Sequence, residues 1–288
     1  MNLIKINLIA VITALFALSS GNLYAELPIS LGAGDVQRKA LVSTLGIMPN
    51  SNGKSLTTPS AWGSAYGSVF VGVGIESRAA YVHGPAFTNG VGDGAAAVGI
   101  GIGNPVEFVG LQATLSALDL SGLGRYSMSF QLHRNLGSAN AIAVGAQTLM
   151  LSPGTDSVPS YYIVYSQGVL ATPFINRSNS TTRLHYSIGV GNGQYSEKSQ
   201  SDISTGKGAN GTWLFGNVAY ELFNAFNVIG EWNGINLNAG VSKTFYINNI
   251  PLAVSAGVLD LTSFSGDGVR FTIGVGTGIT LYITQYYV

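Results

Sequence analysis

Between residues 269 and 283 the chain alternates with a period of two, and its polar half carries almost no charge. Val269, Phe271, Ile273, Val275, Thr277, Ile279, Leu281 and Ile283 share one face. Arg270, Thr272, Gly274, Gly276, Gly278 and Thr280 share the other. Period two marks a strand whose two faces meet different surroundings. The pattern recurs over 69–76, 98–103, 109–116, 125–133, 142–147, 183–191, 217–222, 235–242 and 252–258, and more weakly over 161–166 and 226–233. Turn signals such as Asn104-Pro105, Ser121-Gly122, Asn233-Gly234 and Asp267-Gly268 separate these runs. The reading is an all-β chain of about twelve antiparallel strands, between roughly ten and fourteen.

Alternation alone fits a soluble sandwich with apolar faces inward, or a membrane barrel with apolar faces outward. Three features favour the closed transmembrane barrel. First, a soluble surface needs charge, yet Lys, Arg, Asp and Glu are 9% of the chain, against roughly 25% in an ordinary domain. The polar faces hold Gly, Ser, Thr, Asn and Ala instead, which suits a confined lumen. Second, Tyr66, Trp213, Phe215, Phe223, Phe226, Trp232, Phe245, Tyr246 and Tyr282 gather near strand ends, as aromatics do where lipid meets water. Third, the pattern continues almost to the last residue, so closure leaves no free edge. In lipid no backbone polar group goes unpaired, so spanning strands must close.

The same composition excludes other classes. Thirteen basic and thirteen acidic residues give no electrostatic footprint for nucleic acid. The hydrophobic share of 46% is too high for a disordered chain, and the absence of cysteine removes thiolate metal and redox motifs. Gly99-Ile100-Gly101-Ile102-Gly103 lies within a strand and opens no helix, so it is no dinucleotide fingerprint, and no cofactor is expected. The sequons at Asn176 and Asn179 are a common pattern without weight here.

Residues 1–25 read as a secretory signal peptide. Lys5 precedes an apolar run over 8–18, and Ala25 offers a small residue for cleavage. Residues 26–64 break the strand pattern. The segment 35–45 suits a short helix capped by Asp35, and 50–60 has linker composition. This segment is either a periplasmic tail or a plug in the lumen of the barrel that occupies 65–288. The inward glycines, among them Gly72, Gly74, Gly99, Gly101, Gly189, Gly191, Gly274, Gly276 and Gly278, either leave room for such a plug or serve sheet curvature. Connections alternate in length, with 79–93, 151–159 and 195–210 long at the outer end and 104–105 and 223–225 short at the periplasmic end. Gly234 and 168–181 break this rule and warn of a miscounted hairpin; Val169 to Ile175 is the place to hide part of a strand, although Pro173 argues against a central one.

Four stretches carry a family likeness: Gly92-Asp93-Gly94 leading into Val98-Gly99-Ile100-Gly101, Phe130-Gln131-Leu132-His133-Arg134, Glu231-Trp232 with Asn236-Leu237-Asn238, and Gly266-Asp267-Gly268-Val269-Arg270-Phe271. Through them the chain resembles uncharacterised bacterial outer-membrane barrel proteins. The resemblance implies an outer-membrane location with lipid as surroundings, and no activity.

Arg125, His133, Arg183, His185, Glu221, Glu231 and Arg270 fall on inward positions, with Glu76 near a strand end. They either line a pore and tune its selectivity or pair across the lumen and fill it. The expected role is passive passage of small solutes, or a structural role at the cell surface. A secreted β-rich adhesion protein is the second reading. A barrel-embedded lipid hydrolase is the third, and it lacks a Gly-x-Ser-x-Gly elbow beside His83, His133 or His185.

Overall fold

A computed structural model of the chain describes residues 53–64, 66–79, 92–120, 124–149, 151–153, 157–176, 181–247 and 250–280. The signal-peptide segment, the helix expected over 35–45, His83, Asn179 and Tyr282 lie outside these residues. Among the described residues twelve strands close into one antiparallel barrel. They are β1 (Ser68–Glu76), β2 (Asp93–Gly103), β3 (Gly110–Asp119), β4 (Gly124–Gly137), β5 (Asn140–Leu149), β6 (Ser160–Gly168), β9 (Leu184–Gly191), β10 (Leu214–Phe223), β11 (Phe226–Trp232), β12 (Leu237–Ile247), β13 (Ile250–Leu259) and β14 (Arg270–Thr280). The seam closes between the first and last strands, with Val71 opposite Thr277 of β14 and Val98 of β2.

Two further strands, β7 (Ile175–Asn176) and β8 (Thr181–Thr182), pair only with each other. They sit in the connection between β6 and β9, which pair directly through Ser166 and Ser187. The described residues of the long 168–181 connection therefore add no barrel strand, and Pro173 lies outside the barrel sheet. At the opposite end β11 turns tightly into β12, where Asn233 Oδ1 accepts the N–H groups of Ile235 and Asn236 at 2.9 and 2.7 Å. Both exceptions to the loop rule are thus true features of the barrel.

Burial follows the two-residue period. In β9 and β10, His185, Ser187, Gly189, Phe215, Asn217, Ala219 and Glu221 are buried, while Ile188, Val190, Leu214, Val218 and Leu222 are exposed. The outside of the barrel is aliphatic, and the inside is polar with a local aromatic core. Phe215 corrects one expectation. It faces inward, not into a rim belt, and stacks on Tyr195 with ring centroids 4.3 Å apart. Tyr195 comes from a short 3-10 turn (Gly193–Tyr195) after β9, which folds back into the barrel mouth. Ala61, Trp62, Ala141, Ala143, Tyr162 and Val164 complete this interior cluster.

The connection between β9 and β10 also holds a one-turn helix, α1 (Gln200–Ser204), whose Asp202 is buried. Asp202 accepts Ser265 Oγ at 2.6 Å and Gly266 N–H at 3.0 Å. This ties the longest connection to the β13–β14 connection across the mouth.

Candidate functional site: the lumen and its strap

Residues 53–64 run inside the barrel. Their composition is that of a linker, rich in Ser, Thr and Gly, and the same composition supplies many N–H and O–H donors. Those donors converge on Glu231 of β11, a carboxylate 1% exposed. Leu56 N–H, Thr57 N–H and Thr58 N–H donate to it at 3.0, 3.0 and 3.1 Å. Ser55 Oγ and Thr58 Oγ1 donate at 2.9 Å each, Thr57 Oγ1 donates as well, and Asn238 Nδ2 adds 3.1 Å from β12. Consecutive backbone amides wrapped around an anion form a nest, and bonds to an ionised acceptor are about twice as strong as neutral ones.

The rest of the strap follows one inward row of the sheet. Pairing aligns Ser166, Ser187, Asn217, Glu231 and Asn238 across β6, β9, β10, β11 and β12. Asn217 Nδ2 donates to Thr58 Oγ1 at 2.9 Å, and Ser166 Oγ accepts Ala61 N–H at 2.8 Å. Trp62 meets the His185 ring edge-on at 5.7 Å, and Thr182 Oγ1 lies 2.6 Å from His185 Nε2. Gly63 lies against His133, so close that a Cβ there would stand 2.6 Å from Nδ1. Ser64 N–H reaches Gln112 Oε1 of β3 at 3.0 Å, and the chain then enters β1.

The other arm of the strap lies two inward rows further along the strands. Gly53 C=O accepts Ser242 Oγ at 2.6 Å, and Lys54 Nζ donates to Asn227 Oδ1. Lys54 is 3% exposed, with its Nζ 4.0 Å from the buried Glu221 carboxylate. Burial pulls the Lys54 ammonium down from 10.5 to about 8, and the Glu221 charge opposes that shift.

Four of the seven inward candidates, His133, His185, Glu221 and Glu231, thus lie beneath or beside the strap. Arg270 sits at the mouth, 2.7 Å from Asp260 and paired with Glu76. The remaining two are placed elsewhere. Arg125 is exposed at the start of β4 with φ +55°. Arg183 precedes β9, donates to the carbonyls of Glu221 and Leu222 at 3.0 and 2.7 Å, and lies over the outward Tyr220 ring. An inward parity fails for Arg183 because the side chain is long enough to reach the sheet's rim.

Reading the strands for charge missed the uncharged partners: Asn217, Asn227 and Asn238 inside the sheet and Ser55, Thr57 and Thr58 in the strap. Their signal was present in the inward asparagines that neighbour Glu221 and Glu231 in three consecutive strands.

No family model matches the chain, and no curated protein matches it. Among solved structures it is similar to a KdgM porin in complex with disordered oligogalacturonate, with a TM-score of 0.42 and 10% identity over 75% of this chain and 99% of that chain.

Proposed function

We propose that the protein is an outer-membrane pore for passive solute passage, narrowed by its own residues 53–64. The observation that carries this reading is the pairing of an aliphatic outer wall with a polar lumen, partly occupied by the strap, in one closed barrel. Ile188 and Val218 are 57% and 53% exposed, whereas Ser187, Asn217 and Glu221 between and beside them are buried. Water is a poor solvent for such an exterior, and a bilayer is a good one. Small uncharged residues and a multiply bonded carboxylate inside are what a lumen tolerates.

The test has two parts. Membrane fractionation with heat-modifiable gel migration checks the location: a chain that is soluble and monomeric without detergent overturns the membrane reading. Planar-bilayer conductance checks the pore. Removing 53–64 enlarges the lumen, so the deletion is expected to conduct more than the full chain. Absence of conductance from both would leave a structural surface barrel.

A further inference from the structure

The strap covers only part of the lumen. Its contacts fall on β3, β4, β6 and β9 through β12, and Leu56 also reaches Gly257 near the end of β13. The wall formed by β1, β2, β14 and the 253–255 stretch of β13 carries small residues. One inward row there runs Ala97, Gly72, Gly276, Ala253, and the next runs Ala95, Gly74, Gly274, Ser255. A cavity of about 380 Å³ lies between this wall and Gly53 and Ser55 of the strap.

Two kinds of inward glycine separate here. At Gly99 and Gly189 an aromatic ring occupies the space above the backbone, and a Cβ would collide with Phe70 or Phe215. At Gly72 and Gly74 nothing among the described residues does: the nearest atoms to a Cβ would be carbonyl oxygens at 3.6 and 4.0 Å, which is ordinary contact or open space. Neither adopts a positive φ among the described residues. These two glycines are demanded neither by backbone conformation nor by packing, and what they leave is open volume. Phe70, lying over Gly99, occupies the inward position next to Gly72 toward the end where β1 begins, just beyond the cavity lining. At the other end stand Glu76 and Arg270, already paired with each other.

We infer that this small-residue wall is the residual passage through the strapped barrel, and that it admits small uncharged polar solutes of about glycerol to monosaccharide size. The inference rests on the pore reading. Its chemistry follows from the lining: backbone, methyl groups and the hydroxyls of Ser55, Ser242 and Ser255, with no ionisable side chain among the described residues. A solute with hydroxyls finds hydrogen-bond partners there, whereas an ion finds no counter-charge as it sheds water.

Proteoliposome swelling with the full chain tests it, using glycerol as the neutral solute and gluconate as the charged one. Glycerol is expected to enter faster than gluconate. Gly72→Leu and Gly74→Leu, which place a side chain in the open volume, are expected to slow glycerol about fivefold or more. Gly230→Leu, on the outward face where a Cβ also meets nothing, is expected to leave the rate unchanged. Phe70→Ala is expected to raise it. Heat-modifiable migration of each variant checks that the barrel is folded. Swelling that ignores both glycine substitutions, or that appears only after deletion of 53–64, overturns the passage and leaves the pore reading standing. Failure of every form, the deletion included, overturns both.

Discussion

Glu231 of β11 and Thr58 of the strap are joined twice: the Thr58 N–H donates to the carboxylate at 3.1 Å and the Thr58 hydroxyl donates to it at 2.9 Å. The two residues are 173 positions apart in sequence. Their union, with the amides of Leu56 and Thr57 beside it, holds a loop of the N-terminal segment against the inner wall. Removing the carboxylate leaves three N–H groups inside the barrel without their acceptor, that of Thr58 buried. Glu231→Ala is therefore expected to weaken strap docking by about 3 kcal/mol, and Glu231→Gln, which keeps one acceptor oxygen, by less. Limited trypsinolysis of the folded barrel reads this at Lys54. Equal cleavage of wild type and Glu231→Ala would mean that something else retains the strap.

Lys54 gives the docked strap a pH dependence. Docked, its pKa is about 8; released into water it returns to 10.5. Between those values the released form binds more protons, so docking strengthens as pH rises from about 8 to 10.5. Below 8 both forms are protonated and the full cost of the buried charge, about 3 kcal/mol, applies. Lys54→Met lacks this dependence. Thermal unfolding of both proteins across that window is expected to show wild type gaining on the variant, and a constant difference would contradict it.

The interior glycines divide by what lies above them. Gly189→Ala places a Cβ 2.6 Å from the Ile163 carbonyl and into the Phe215 ring, and neither gives way easily. Overpacking of this kind costs about 1–3 kcal/mol. Gly72→Ala meets only ordinary contacts and is expected to stay within about 0.5 kcal/mol of wild type. The temperature at which each variant loses its heat-modifiable migration measures the contrast. A Gly189→Ala barrel as stable as wild type would show that β9 and β6 can part more freely than their packing implies.

The outer wall is tested by charge. Ile188 stands mid-strand on the aliphatic exterior. In a bilayer Ile188→Lys is expected to cost about 2–4 kcal/mol and to lower the yield of assembled barrel. In water the same change would be nearly neutral. Ser204→Lys, exposed in α1 of a connecting loop, serves as the control and is expected to assemble normally.

Alternation of residue type is a local property, and it was enough to locate the strands, their number and which face is apolar. Val71, Val73 and Ile75 declare an outward face because neighbouring side chains in a strand point to opposite sides, whatever the rest of the chain does. The two irregular connections were visible too, as departures from the loop rule, but deciding that neither concealed a strand required the pairing of Ser166 with Ser187. The strap was beyond reach of pattern reading. Ser55-Leu56-Thr57-Thr58 has linker composition, and its amides show no preference until a buried carboxylate is brought beside them by closure of the barrel. The same closure decided which glycines are covered by rings and which face open volume, and turned Arg183 away from the lumen. Periodicity reports how one strand divides its surroundings; only the closed sheet determines what those surroundings contain, because the atoms that meet across a lumen are distant in sequence.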